Sequence, residues 1–218
     1  MKHLVFYFDV ISPYAWMAFV RLPVLLEGHS YSVTYKPVLF GAVLSHHGQL
    51  GPAEIPAKRD WTYRQVLWLA RNLGVELQMP ARHPFNPLAL LRLGVACSAN
   101  GLPNRHVTEQ LFRHVWCGGA DAADPQRLLD LTALLAPARD PQSDAVKSEL
   151  RAHTDAALAR GLFGVPTIEV DGRLFWGHDA LPMLRSYLDG DAWFTAGAWD
   201  SVTAIPAGVN RKRNNHSP

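Results

Sequence analysis

His3-Leu4-Val5-Phe6-Tyr7-Phe8-Asp9-Val10-Ile11-Ser12-Pro13-Tyr14-Ala15-Trp16 is the stretch on which the fold turns. Residues 3–10, rich in aromatic and β-branched side chains, read as a buried strand. Ser12 is a favoured N-cap and Pro13 suits the first helical position, so the strand runs almost directly into a helix. The pattern predicts that helix from Pro13 to about Glu27, with Trp16, Phe19, Val20 and Val24 at apolar positions and Gly28 to stop it. Residues 31–39 then alternate Tyr31, Val33 and Tyr35 against Ser32, Thr34 and Lys36, a second strand. Strand, helix and strand make a β-α-β unit with parallel strands.

Beyond it the character changes. Glycine and proline punctuate Gly41 to Pro56, which reads as a loop. Helical patterns follow over Trp61 to Leu73, Pro87 to Asn100, Val107 to Trp116 and Pro125 to Leu135, with no strand pattern between them. The mixed pattern then resumes. Asp144 to Arg160 is helical and Gly161 ends it; Thr167 to Val170 is a strand, Asp171-Gly172 a hairpin turn and Leu174 to Trp176 the returning strand. Ala180 to Leu188 is a closing helix. The order β-α-β, helices, α-β-β-α is that of an α/β thioredoxin-like fold with an inserted all-helical subdomain. The expected division is a discontinuous thioredoxin-like domain over 1–40 and 142–195, an insert over 41–141, and a flexible tail over 196–218.

Composition excludes several classes. The 218 residues carry a formal net charge of +2, and the one basic run, Arg211-Lys212-Arg213, lies in a polar tail read as solvated and disordered, which argues against nucleic acid as a partner. No stretch approaches the roughly 20 apolar residues of a membrane span, and the apolar start is too short for an export signal. Cys97 and Cys117 match neither a zinc spacing nor a redox pair, and both are expected as free thiols in a reducing cytoplasm. The ten histidines, among them His46-His47, His83, His106 and His114, form no metal signature, so no metal is expected. No G-x-S-x-G elbow accompanies Ser12, which argues against a hydrolase.

Three motifs at element junctions can carry chemistry. At the first, the start of the first helix offers unpaired N–H groups and partial positive charge, a place to hold an anion. Redox proteins of this fold carry Cys-x-x-Cys here; this chain reads Ser12-Pro13-Tyr14-Ala15, so disulfide exchange by the usual route has no protein thiol. A hydroxyl at the cap can donate to a thiolate brought by a ligand, although Ser before Pro is also common as a plain N-cap. At the second, Phe163-Gly164-Val165-Pro166-Thr167 places a proline before a strand, either simple punctuation or a cis peptide that presents Val165 to a bound peptide backbone. At the third, Trp176-Gly177-His178-Asp179 precedes the last helix with Asp179 as its expected N-cap. The seven tryptophans suggest an aromatic pocket or ordinary packing, with Trp16, Trp61, Phe85 and Trp116 as the candidate wall.

Taken together, the sequence over about residues 3 to 193 resembles the 2-hydroxychromene-2-carboxylate isomerases, relatives of the kappa-class glutathione transferases. The likeness rests on Phe6-Tyr7-Phe8-Asp9, Ser12-Pro13-Tyr14, Lys36-Pro37, Phe163-Gly164-Val165-Pro166-Thr167 and Phe175-Trp176-Gly177-His178-Asp179. The resemblance implies a glutathione cofactor whose sulfur faces Ser12 and whose backbone pairs with Val165 before a cis Pro166. Asp179 and its turn would hold the γ-glutamyl end, and Lys58 and Asn86 match further glutathione contacts. Ser12 is thus the expected catalytic residue, and Ser12, Pro13, Lys58, Asn86, Val165, Pro166, Gly177, His178 and Asp179 the expected cofactor site. Two positions depart from the pattern: the family commonly has Asn or Ser at His178 and Arg at Ala180. The loop from Gly41 to Pro56 aligns poorly.

The activity this implies is a glutathione-dependent cis-trans isomerisation of a small aromatic-ring degradation intermediate, in the cytoplasm, with a homodimer compatible with the resemblance. The alternatives are a kappa-type transferase or peroxidase, or a glutathione- or peptide-binding protein without turnover.

Overall fold

The computed structural model describes residues 1–206, 208 and 209. β1 (Lys2–Phe8) and β2 (Tyr31–Pro37) are parallel, and α1 (Pro13–Leu25) is the crossover that a parallel pair requires. β3 (Thr167–Val170) lies antiparallel on the other side of β1, and β4 (Arg173–Trp176) antiparallel on β3. The sheet order is β2-β1-β3-β4. Asp171 and Gly172 join β3 to β4 with φ of 49° and 77°, the left-handed geometry that a two-residue hairpin demands. Between β2 and β3 run α2 (Phe40–His46), α3 (Pro56–Leu73), α4 (Leu88–Ala96), α5 (Arg105–Trp116), α6 (Pro125–Leu135) and α7 (Asp144–Ala159). α8 (Leu181–Leu188) and the short α9 (Ala198–Ser201) follow the sheet. This is an α/β thioredoxin-like fold with a helical insertion. Among the described residues no helix is long and apolar enough to cross a membrane.

The alternation of β1 sorts its side chains. Leu4, Phe6 and Phe8 enter the main core, while Val5 and Tyr7 face a smaller cluster with Val38, Val43, Ala157, Leu162 and Val165. In the main core Phe112 of α5 stands 5.3 Å from Phe8 and 5.4 Å from Phe19 of α1, ring centre to ring centre. The inserted helices and the sheet therefore share one core. Each such ring contributes about 1.5–3 kcal/mol by leaving water.

Four expectations need correction. Residues 41–56 are not simply a loop: they hold most of α2 and a 3-10 turn at Pro52–Glu54. α2 has no cap side chain of its own at Leu39. Its first N–H groups are taken from afar, Leu39 N by Thr154 Oγ1 at 3.0 Å and Phe40 N by Asp9 Oδ2 at 2.9 Å. α1 stops at Leu25, two residues early, where the Leu26 N–H closes on Leu22 and Pro23. α4 ends at Ala96 rather than Asn100, and the Asn100 side chain instead accepts from Leu102 N in a tight turn. The segment read as tail begins with structure, since Trp199 of α9 packs 5.7 Å from Phe175 and 5.4 Å from Phe194. The basic run at Arg211 to Arg213 lies outside the described residues.

Candidate active site

Ser12 sits where β1 gives way to α1. Its extended backbone (φ −91°, ψ 115°) aims the side chain along the helix, and Oγ accepts from Ala15 N at 3.2 Å. The same hydroxyl donates toward Val165 O at 3.4 Å, a long hydrogen bond. Pro13 occupies the first helical position and is buried. So a loosely engaged hydroxyl proton stands at the positive end of a helix.

Side chains hold the segment before Ser12, two of them from distant elements. Trp116, wholly buried on α5, donates Nε1–H to Val10 O at 2.9 Å. His83 reaches Ile11 O with Nε2 at 2.8 Å. Asp9, fully buried, accepts from Ile11 N at 3.0 Å with one oxygen while the other takes the N–H of Phe40. Burial pushes the Asp9 carboxyl up to about 7, against the two N–H donors that favour its charge.

The second junction lies directly across from the first. Val165–Pro166 is a cis peptide, as expected, and Val165 O is the group that Ser12 faces. Pro166 O accepts from Gly177 N at 2.9 Å, which draws the third junction to the same place. Phe163 and Trp176 flank this loop as an aromatic pair, rings 4.9 Å apart and 41% and 52% exposed. Gly164 must be glycine here, because a Cβ would stand 2.3 Å from the Trp176 indole nitrogen.

The third junction differs from its expectation. Asp179 does not cap α8; it lies inside a 3-10 turn, His178–Ala180, and α8 starts behind Ala180 with no side-chain cap. The Asp179 side chain folds back over Gly177, whose φ of 96° excludes other residues, and a Cβ there would meet Asp179 Oδ1 at 2.3 Å. α1 packs against this turn. After burial, the Asp179 charge is what raises the Tyr14 phenol. Burial lowers the His178 imidazolium.

Ser12, Pro13, Val165, Pro166 and Gly177 are therefore together, with His178 and Asp179 on the adjoining turn. Lys58 is exposed on α3, and Asn86 uses Oδ1 to accept from Leu88 N at 3.0 Å; among the described residues no hydrogen bond ties either to the Ser12 junction. The candidate aromatic wall is corrected in part. Trp16 and Trp116 are core, their indole N–H groups donated to Glu76 O and Val10 O, while Phe85 is half-buried and Trp61 exposed. Cys97 and Cys117 are free thiols that burial pushes up. Among the described residues no group of three or more His, Cys, Asp or Glu could hold a metal ion.

Sequence reasoning passed over Asp9, His83 and the Phe163–Trp176 pair as site residues. A lone acid closing an apolar strand was a signal for Asp9. For His83 there was none, because its contacts come from segments 20 and 72 residues away.

Fold and junctions together define a thioredoxin-fold protein whose three junctions meet at the start of its first helix. The chain belongs to the family of DSBA-like thioredoxin domains, a match spanning residues 3–189, and within it stands with the 2-hydroxychromene-2-carboxylate isomerases and kappa glutathione transferases. It is 32% identical over 200 residues to the 2-hydroxychromene-2-carboxylate isomerase of Sphingobium xenophagum, covering 86% of this chain and 98% of the relative. To glutathione S-transferase kappa 1 of Rattus norvegicus it is 26% identical over 207 residues, covering 86% and 90%. A solved 2-hydroxychromene-2-carboxylate isomerase shares the fold with a TM-score of 0.74 at 23% identity, over 90% of this chain and 98% of the other.

Proposed function

We propose that the protein is a glutathione-dependent cis-trans isomerase of the 2-hydroxychromene-2-carboxylate isomerase type, acting in the cytoplasm on intermediates of aromatic breakdown. On this reading the chain is a discontinuous thioredoxin-like domain, 1–40 and 142–195, around the insert 41–141. The observation that carries the reading is the Ser12 hydroxyl: its proton is engaged only at 3.4 Å, at a helix start whose Ser12-Pro13-Tyr14-Ala15 carries no thiol. Such a place fits a thiolate brought by a ligand. Bound glutathione would supply a nucleophilic sulfur able to add to and leave from a conjugated double bond.

The residues do the rest. Ser12 Oγ–H turns from Val165 O to the sulfur, and the helix start favours its anionic form; a free thiol near 8.5 falls by about one to several units at such a site. Val165 offers its N–H and C=O to the peptide part of the ligand. Gly177, His178 and Asp179 would hold the γ-glutamyl end, and Lys58 on α3 and Asn86 before α4 would supply further contacts to the ligand. Phe163 and Trp176 offer rings on which an aromatic substrate stacks, a contact contributing about 0.5–1.5 kcal/mol beyond area.

The likeness to the rat kappa transferase favours a second reading, in which the glutathione adduct is released. One experiment separates them. The protein is incubated with glutathione and hydroxychromene carboxylate, then with chlorodinitrobenzene. Turnover of the first with glutathione unconsumed is the expected result. Conjugate formed from the second alone would make the protein a transferase, and binding with neither product would make it a binder.

A further inference from the structure

His83 lies outside the proposed cofactor site, yet it touches the residue beside Ser12. Its Nε2 is 2.8 Å from Ile11 O and its Nδ1 is 2.8 Å from Tyr63 Oη on α3. The same Tyr63 hydroxyl is 2.8 Å from the carbonyl oxygen of His83 itself. These three contacts allow a proton count.

A carbonyl only accepts, so Nε2 must carry a proton toward Ile11 O. Tyr63 has a single hydroxyl proton and two neighbours competing for it. If the imidazole is neutral with Nε2–H, both Nδ1 and the His83 carbonyl present lone pairs to Tyr63 Oη. One of them then faces an oxygen lone pair at hydrogen-bond distance. With Nδ1–H as the neutral form, Nε2 and the Ile11 carbonyl are lone pair against lone pair. Only the doubly protonated ring satisfies all three contacts: Nε2–H to Ile11 O, Nδ1–H to Tyr63 Oη, and Tyr63 O–H to His83 O. The ring centre is also 5.5 Å from that of Trp116, the two planes tilted by 53°.

We propose that His83 is a positioning residue whose imidazolium form clamps the Ile11 carbonyl and Tyr63 Oη together, fixing the Ser12 loop against α3 below the His83 midpoint and releasing it above. The groups facing it are Tyr63 of α3, Trp116 of α5, Phe85 of its own loop and the Ile11 carbonyl. Of these Tyr63 alone titrates, and Arg59 and Asp60 act on it with opposite signs. Burial works against the charge on His83 and the Ile11 carbonyl for it, the burial being larger. The clamp is therefore tight at low pH and loosens as His83 loses its Nδ1 proton, when Tyr63 must give up one contact. Its consequence for the sulfur rests on the glutathione reading of Ser12; the clamp itself does not.

The test follows the His83 ring nitrogens by nuclear magnetic resonance across pH, in wild type and in Tyr63→Phe, without glutathione. Losing a hydrogen bond to a charged group should lower the His83 midpoint by about one to two pH units. In the same proteins the ultraviolet titration of glutathione thiolate should shift upward in Tyr63→Phe. In His83→Gln, whose amide can still donate to Ile11 O without titrating, thiolate formation should lose any dependence on the His83 midpoint. An unmoved midpoint in Tyr63→Phe overturns the clamp. A lowered midpoint with an unchanged thiolate titration overturns its service to Ser12. If wild type forms no glutathione thiolate at all, the functional reading fails while the midpoint still decides the clamp.

Discussion

The two ends of the candidate site are built in opposite ways. At the Ser12 end, Trp116, His83 and Asp9 each grip the backbone of a residue just before the helix, and the cap hydrogen bond is made. At the Gly177 end, the turn is tied to the cis-proline loop by a backbone bond to Pro166 O, no side chain from a distant element hydrogen-bonds its backbone among the described residues, α8 has no side-chain cap, and Trp176 stands half in water. A rigid end suits a group whose position must be fixed to fractions of an ångström, as a reacting sulfur requires. An open end suits recognition of a flexible ligand tail and of a substrate ring.

The sharpest way to break this contrast is to truncate one tryptophan at each end. Trp116→Ala should cost about 3–5 kcal/mol of stability, because a fully buried ring and its bond to Val10 O are lost together. Trp176→Ala should cost clearly less, about 1–2 kcal/mol, from the Phe163 ring contact and the half of the indole that is buried. Urea midpoints at constant slope measure both, and equal losses would remove the distinction between the ends.

Asp9 gives the next largest effect, through pH. Its folded value is raised to about 7 from 3.8, so between those values the folded protein holds a proton that the unfolded chain has released. That contribution is complete below about 4 and is lost as pH climbs toward 7, up to about 4 kcal/mol for a shift of this size. Asp9→Asn should therefore show a flatter stability profile than wild type from pH 4 to 7, read as the difference between the two melting curves. Parallel profiles would mean that Asp9 stays charged when folded.

At the open end the expected effects are small in stability and visible in binding. Asp179→Ala removes no cap bond, so its melting temperature should match wild type, whereas on the proposed reading KM for glutathione rises several-fold with kcat nearly kept. A clear drop in melting temperature would show that the carboxylate caps after all. Smallest of all, Cys97→Ser and Cys117→Ser should leave turnover nearly intact, since burial pushes both thiols away from reactivity. Loss of activity in a folded variant would put a protein thiol into the mechanism.

What was legible in the sequence follows the same division. Ser12 capping Ala15 and the Asp171-Gly172 hairpin are made within a few residues, and their composition announces them. The parallel pairing of β1 with β2 follows from the helix between them. α2 was hidden behind glycines because its first N–H groups are capped by Asp9 and Thr154, 31 and 115 residues away. Asp179 looked like a cap because a helical pattern starts just after it, and a three-residue 3-10 turn that no pattern marks displaced it. Trp16 and Trp116 looked like pocket walls because composition alone does not separate an indole facing a ligand from one donating to a backbone carbonyl. Apart from the local bond between Asp9 and Ile11 N, the grip on the Ser12 loop comes from Trp116 and His83, 106 and 72 residues from the carbonyls they bond, so the loop's own N-cap could be read in advance and those two could not.

On the proposed reading, Ser12 stabilises a ligand thiolate rather than merely starting a helix. Ultraviolet titration of bound glutathione in wild type and Ser12→Ala, with melting temperatures alongside, tests it most directly. A hydrogen bond to a charged sulfur contributes roughly 1.5–3 kcal/mol, so Ser12→Ala should raise the thiol pKa and cut turnover about ten- to hundredfold. An unchanged thiol pKa and unchanged turnover, with only the loss of about 1 kcal/mol of stability that a missing N-cap costs, would contradict it.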